Sequence, residues 1–262
     1  MEKNVKNLIR QFHIISRKKW IKGAFDYNNI GNVGLTFEKE LNKCPDNSFF
    51  PDYEGIEIKC ISRFSDFPIY LFSTSLEGSS YPEINRLIEK YGYYDLDYSD
   101  KLVLFEDFNF KATHIVNGKW IFELDIDKDQ NKLFFCVYDL NRNLIEKESY
   151  VYLDVLYNHL TTKLTQLAIV RASKKIVDEV KYFRYYELSI YKLISFDKFL
   201  ELLKNKIINV SIVGRISKSG ERQGRYRNKN LEFKIKKKHI NLLFKRFYYY
   251  NYDSNITEKI SI

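Results

Sequence analysis

The stretch Pro51-Asp52-Tyr53-Glu54-Gly55-Ile56-Glu57-Ile58-Lys59-Cys60 decides how this chain is read. From Ile56 onward apolar and charged residues alternate. On a β-strand, whose side chains point to opposite faces in turn, Glu57 and Lys59 share one face while Ile56, Ile58 and Cys60 are expected to bury the other. Gly55 marks a short turn, and Asp52 on its far side can fold back beside Glu57. Two carboxylates at one spot suit a hard divalent cation such as Mg2+, which keeps several waters and coordinates phosphate. Lys59 beside them can orient an attacking water and offset charge building on phosphate oxygens. An exposed edge strand carrying a Glu and a Lys would look similar, so the surrounding sequence has to decide.

A chain of 262 residues, 45% apolar and 29% charged, can build one large domain or two lobes and is long enough for an enzyme. Cys44, Cys60 and Cys136 have no metal-ligand spacing, and their odd count predicts reduced thiols in a cytoplasm. His13, His114, His159 and His239 are widely separated and pair with no nearby cysteine, which argues against zinc. No apolar run is long enough to span a bilayer. The net charge of +9 is uneven: residues 201 to 262 hold 15 Lys and Arg against 5 Asp and Glu, leaving the first 200 residues at about −1. A polyanionic partner explains that asymmetry, and a solvated basic helix is the alternative.

Apolar positions in residues 1 to 22 predict an opening helix ended by Gly23. Gly31 to Gly34 reads as a turn before a helix over Leu35 to Leu41, on which Glu38 points inward. Strands are expected at Pro68 to Ser73, Lys101 to Phe105, Trp120 to Leu124 and Lys132 to Tyr138, the last three as part of an antiparallel meander. Leucines and valines spaced by three or four predict helix over residues 151 to 182, and another helix covers Ser195 to Asn205. The end of the chain reads as a strand at Val210 to Arg215, a basic loop or hairpin tip from Lys218 to Asn230, and a returning strand at Leu231 to Ile235. Such a ribbon is narrow enough to enter a DNA major groove.

Taken in order, five blocks resemble the MvaI/BcnI type II restriction endonucleases, a MutH-like branch of the PD-(D/E)xK nucleases. They are Gly31-x2-Gly34-x-Thr36-x-Glu38, Pro51-Asp52-x4-Glu57-x-Lys59, Leu71-Phe72, Leu160-x2-Lys163-Leu164-x2-Leu167-x2-Val170-x-Ala172, and Phe233-Lys-Ile235. The resemblance covers roughly residues 20 to 240. It implies an α/β fold of restriction-endonuclease type: a mixed β-sheet flanked by helices, with a catalytic lobe (about 1–185) and a DNA-recognition lobe (about 186–262) around a cleft. Asp52 and Glu57 match the family's metal ligands, Lys59 its catalytic lysine, and Glu38 the acidic residue on the preceding helix. Lys163 falls on a block expected to touch phosphate or pack. The departure lies in the ribbon, where the family often has a His-Asp-His-Gly-Thr-like stretch and this chain has Arg225 to Asn230, so a known recognition sequence does not transfer.

The function these features imply is sequence-specific double-strand DNA cleavage with Mg2+-activated water, in a restriction-modification system with a cognate DNA methyltransferase, by a cytoplasmic enzyme expected to act as a monomer. Arg215, Lys218 and Arg222 are expected to bind DNA, and Arg225, Arg227, Asn228 and Asn230 to read it. A strand-specific nicking enzyme of repair shares the chemistry. A non-catalytic DNA-binding protein would explain the basic ribbon but not the carboxylates, and a protein of RNA would use the same aromatic-rich basic surface.

Overall fold

The computed structural model describes residues 1–25, 31–43, 49–111 and 114–259. In chain order these form α1 (Lys3–Arg17), β1 (Ile21–Lys22), α2 (Asn32–Glu40), β2 (Glu57–Ser62), β3 (Ile69–Thr74), α3 (Glu83–Tyr91), β4 (Tyr93–Tyr94), β5 (Leu102–Phe108) and β6 (Ile115–Val116). There follow β7 (Trp120–Asp127), β8 (Lys132–Tyr138), β9 (Leu144–Tyr152), α4 (Leu153–Asn158), a π turn (His159–Lys163), β10 (Gln166–Val177) and β11 (Val180–Leu193). The chain ends with α5 (Phe196–Lys204), β12 (Ile208–Ile216), β13 (Tyr226–Ile235), a 3-10 turn (Lys237–His239), α6 (Ile240–Leu243), β14 (Phe244–Asn251) and β15 (Ile256–Lys259). The fold is mixed α/β, as expected. Among the described residues no helix is long and apolar enough to cross a membrane.

Two compact units share these elements. The first comprises residues 1–67, 158–195 and 240–262, the second 68–157 and 196–239. The units interleave, so a single division near residue 185 does not describe them. The cause is strand pairing: β14 returns to β11, and β12 pairs with β5.

The first unit is a mixed sheet in the order β15-β14-β11-β10-β2, with β1 paired to β11. Only β2 and β10 run parallel, with Leu167 opposite Glu57 and Ile169 opposite Lys59. Val5, Leu8, Phe12 and Ile15 of α1 and Val33 and Phe37 of α2 pack with Ile56, Ile58, Ala168, Val170 and Tyr185 in one core. Helix α1 stops at Arg17 because Lys19 takes a left-handed φ of 58°, and Ile21–Lys22 then joins the sheet instead of extending the helix to Gly23. Helix α2 starts at Asn32, so Gly34 lies inside it rather than in a turn.

The long helix expected over 151 to 182 is not formed. Only α4 and the π turn are helical, and residues 166–177 and 180–193 are strands. Leu167 to Val170 is buried on both faces of β10, so the alternation that marks a half-buried strand is missing, and the remaining leucine spacing fits a helix equally well. The hairpin turns at Asp178 and Glu179, whose φ values of 47° and 64° are those of a two-residue turn matched to strand twist.

The second unit holds two antiparallel sheets, β3-β13-β12-β5-β4 and the meander β6-β7-β8-β9; of the three strands expected in one meander, β7 and β8 pair, whereas β5 joins the other sheet because it pairs with β12. Phe72 stacks on Phe233 at 4.8 Å, with Phe199 of α5 against both. A buried ionic cluster ties α3 to β9. Arg86 bonds Glu83 and Glu146, while Glu146 also accepts from Lys90 and Tyr91 at 2.6 Å each. Burial alone would raise the Glu146 carboxyl, but the bonds from Arg86, Lys90 and Tyr91 outweigh it and hold it at about 2.

A carboxyl lowered on folding contributes stability that is full above its unfolded pKa and is lost as pH falls through the folded one. Glu146→Ala should therefore cost about 2 kcal/mol at pH 7, because Arg86, Lys90 and Tyr91 lose a shared acceptor while Arg86 keeps Glu83, and part of that difference should vanish below about pH 4. Urea unfolding at both pH values checks this, and equal losses would contradict it.

Candidate active site

Local turn chemistry brings Asp52 to Glu57. Tyr53 and Ile56 exchange both backbone hydrogen bonds, at 3.0 and 2.8 Å, around Glu54 and Gly55, whose φ values of 43° and 86° are both left-handed. The two-residue turn reverses the chain, and the Asp52 Oδ2 then accepts the Ile58 backbone N–H at 2.9 Å. Asp52 thus folds back onto the start of β2, beside Glu57.

Glu57 and Lys59 share one face of β2, as alternation predicts, but Glu57 is buried there. Its side chain is 1% exposed. Its Oε1 accepts from Lys59 Nζ at 2.6 Å and lies 3.6 Å from Lys163 Nζ at the end of the π turn, while Oε2 is buried without a hydrogen-bond partner. Burial pushes the Glu57 pKa up, Asp52 adds to the rise, and Lys59 and Lys163 oppose it. Lys43, just after α2, places its Nζ 3.4 Å from Asp52 Oδ1. Sequence reading missed Lys43 because no fixed spacing links it to the motif; only its position between Glu38 and Asp52 could have drawn notice.

Glu38 is half-buried on α2, and its carbonyl accepts from the Lys43 N–H at 2.9 Å. The Cys60 thiol is pushed well up, chiefly by burial and further by the charges of Glu38 and Asp52. Glu38 thus faces the same end of β2. Even so, no group of three or more His, Cys, Asp or Glu suited to a metal exists among the described residues. Asp52 and Glu57 are the two carboxylates that could hold an ion here. That set fits Mg2+, which needs one or two carboxylates and fills its remaining positions with water and phosphate oxygens. The orphaned Glu57 Oε2 is the observation that favours the fit, since a buried carboxylate oxygen without a donor is costly unless a cation meets it.

In the second unit β12 and β13 form the expected ribbon, with Arg215 paired to Arg227. The strand β13 begins at Tyr226, so Arg227, Asn228 and Asn230 lie on it rather than in a loop. Arg215 Nε is buried without a partner, and its guanidinium stands 5.0 Å over the Phe105 ring. Burial, then the charge of Arg227, lower the Arg215 pKa. Lys218 is bound to Asp95 and Asp97, so its charge is matched within the protein. Arg222, Arg225 and Arg227 are exposed. Asn230 accepts from Ser75 at 3.5 Å, and the Asn228 side chain, like Cys44, lies outside the described residues.

A mixed sheet that carries two carboxylates and a lysine on adjoining turns of chain is the architecture of a nuclease. The MvaI/BcnI restriction endonuclease family model matches residues 9–244, and the chain belongs to that family. It is accordingly a restriction endonuclease, which cuts DNA at a specific sequence. Among solved structures, the complex of restriction endonuclease MvaI with its cognate DNA substrate has a TM-score of 0.83 at 23% identity, over 94% of this chain and 98% of that one. MvaI in the absence of DNA has a TM-score of 0.57 at 21% identity, over 94% and 97%. No curated protein sequence matches the chain significantly.

Because Gly55 sits at φ 86°, Gly55→Ala should destabilise the protein by about 1 kcal/mol or more. By displacing Asp52 it should also slow DNA cleavage about tenfold or more. Gly55→Asn, which tolerates a left-handed backbone better, should do less harm. Melting curves and cleavage rates of both variants test this, and an Ala variant equal to wild type in both would contradict it.

Proposed function

We propose that the chain is a Mg2+-dependent type II restriction endonuclease whose Asp52 and Glu57 hold the ion and whose Lys59 acts on the reacting phosphate. The observation that carries this reading is the buried, unpartnered Glu57 Oε2 beside Asp52, with Lys59 at hydrogen-bond distance from the other oxygen. When bound, the ion supplies Lewis acidity, making water more acidic at neutral pH and offsetting negative charge on the phosphate. Asp52 is held for its role by the Ile58 N–H, which fixes one oxygen and leaves the other toward Lys43. Lys59 presents its ammonium where it can orient water and neutralise charge on the phosphate oxygens. Lys163 adds a second cation on Glu57, suited to a phosphate contact. Glu38 contributes negative charge from α2 without completing a third ligand.

The order Glu38, Asp52, Glu57, Lys59 supports the MutH-like branch of the PD-(D/E)xK nucleases. The substrate on this reading is double-stranded DNA, cut on both strands by a monomer in the cytoplasm and protected on the host genome by a cognate methyltransferase. Arg215 and Arg227 on the ribbon, one with a buried unsatisfied donor, support base reading there, with Arg222, Arg225, Asn228 and Asn230 as further contacts. Arg suits the O6 and N7 acceptors of guanine and Asn the edge of adenine.

Asp52→Asn and Glu57→Gln should each abolish cleavage while leaving DNA binding, because neutral amides are poor Mg2+ ligands. Cleavage of unmethylated plasmid with and without chelator measures this. Linear product supports double-strand cutting, nicked circles alone support the repair-type reading, and a variant that cuts at the wild-type rate would refute the site.

Arg225→Ala or Arg227→Ala should relax selection at one guanine, with a loss of roughly 1 to 3 kcal/mol in discrimination. Sequencing the ends of digested libraries reads this out. If both variants keep the wild-type preference and lose only salt-dependent affinity, the ribbon grips the backbone instead.

A further inference from the structure

The first unit carries a basic surface that the carboxylate site does not use. It is built where β1 joins the sheet. Strand register puts Lys22, Tyr182 and Lys175 in one row across β1, β11 and β10, and directly paired residues face the same side. The Lys175 ammonium stands 4.6 Å over the Trp20 ring and 5.6 Å from that of Tyr182. The adjacent row, Ile21 and Phe183, packs into the core, so the lysine row faces outward.

Lys22 and Lys175 are exposed, as is Lys19 beside Trp20, whereas Lys174 pairs with Phe183 and lies on the other face. Lys19, Lys22 and Lys175 make no ion pair among the described residues, whereas neighbouring Lys18 and Arg184 are matched by Glu40 and Asp253. The acidic residues of the hairpin, Asp178 and Glu179, sit at its tip beyond the row. Cations gathered this way repel one another in the free protein, and a polyanion relieves that repulsion while releasing its own counterions. The aromatic rings hold Lys175 in place by cation–π attraction, which lowers the ordering cost of engaging a phosphate.

We propose that this face binds the phosphate backbone of duplex DNA away from the cleaved step, an inference that rests on the endonuclease reading above. Ile169 on β10 pairs with Lys59, and Lys175 lies six residues further along the same strand. At about 3.3 Å per residue that is about 20 Å, or roughly six base pairs of duplex. A duplex engaged at the carboxylates must extend that far to reach the row. The surface therefore acts on long DNA and not on short fragments.

The test is binding of a long duplex of about 30 base pairs and a short one of about 10, with the same central sequence, over a range of salt and without Mg2+. Lys22→Glu with Lys175→Glu should weaken binding of the long duplex about tenfold and flatten its log-log salt slope by about 2, while changing the short duplex less than about twofold. Lys22→Arg with Lys175→Arg should keep the wild-type slope, and the double Gln variant replaces the double Glu variant if the latter melts early. An unchanged slope on long DNA, or an equal loss on both lengths, would overturn the proposal. A wild-type protein that binds no duplex would overturn the endonuclease reading with it, which separates the two failures.

Discussion

The parallel pairing of β2 with β10 is the constraint on which the first unit depends. It seals Glu57 into the sheet, opposite Leu167, where water reaches almost none of its side chain. Removing a carboxylate from water costs several kcal/mol, and at an effective dielectric of about 20 a cation at 4 Å returns about 4 kcal/mol. Lys59 and Lys163 together are thus of the right size to hold Glu57 in place without making the site strongly stable. One oxygen remains unmet. A site left in that balance responds to an added cation, which is the physical sense in which this strand is prepared for chemistry rather than for stability.

The supporting elements follow from the same constraint. The π turn ends at Lys163, and its extra backbone residue alters where that ammonium emerges relative to a regular helix. The turn at Glu54 and Gly55 uses two left-handed residues, a geometry whose twist matches that of flanking strands and so returns Asp52 to the start of β2. Strain in the backbone and a buried unpaired oxygen within six residues of each other are departures from local optimality, and such departures gather where a site has work to perform.

What could be read from sequence divides along the same physical line. The motif from Pro51 to Cys60 was legible because its turn residues and its alternation are local, and so was the meander around Trp120 to Tyr138. Alternation placed Glu57 beside Lys59 but gave no sign of its burial, since it cannot tell a strand with one wet face from a strand covered on both. The same blindness turned β10 and β11 into an expected helix: Leu160, Leu164, Leu167 and Val170 keep a helical spacing straight through the change from π turn to strand. Tyr185 is fully buried and donates to the Val33 carbonyl at 2.7 Å, a contact across 152 positions that no local pattern marks. Pairings between residues more than a hundred positions apart, such as β2 with β10 or β5 with β12, leave no local trace, so the interleaving of the two units could not be inferred from a charge surplus at the chain's end.

The ribbon in the second unit obeys the logic of Glu57 with the sign reversed. Arg215 and Arg227 stand opposite each other on β12 and β13, where like charges destabilise a strand pair, and burial depresses Arg215 further. Its face over Phe105 offsets part of that cost through cation–π attraction, but the buried Nε donor has no acceptor among the described residues. A lysine at position 215 would present a strongly hydrated point charge, whereas the planar guanidinium can remain against the ring while its outer nitrogens stay directed at a planar acceptor. In each unit, then, a charge is held where the folded chain leaves part of its bonding capacity unused: a carboxylate oxygen in one, a guanidinium donor in the other. A cation satisfies the first and an acceptor such as a guanine edge or a phosphate the second, so the two ligands of the proposed reaction are complementary to the two groups that folding leaves unsatisfied.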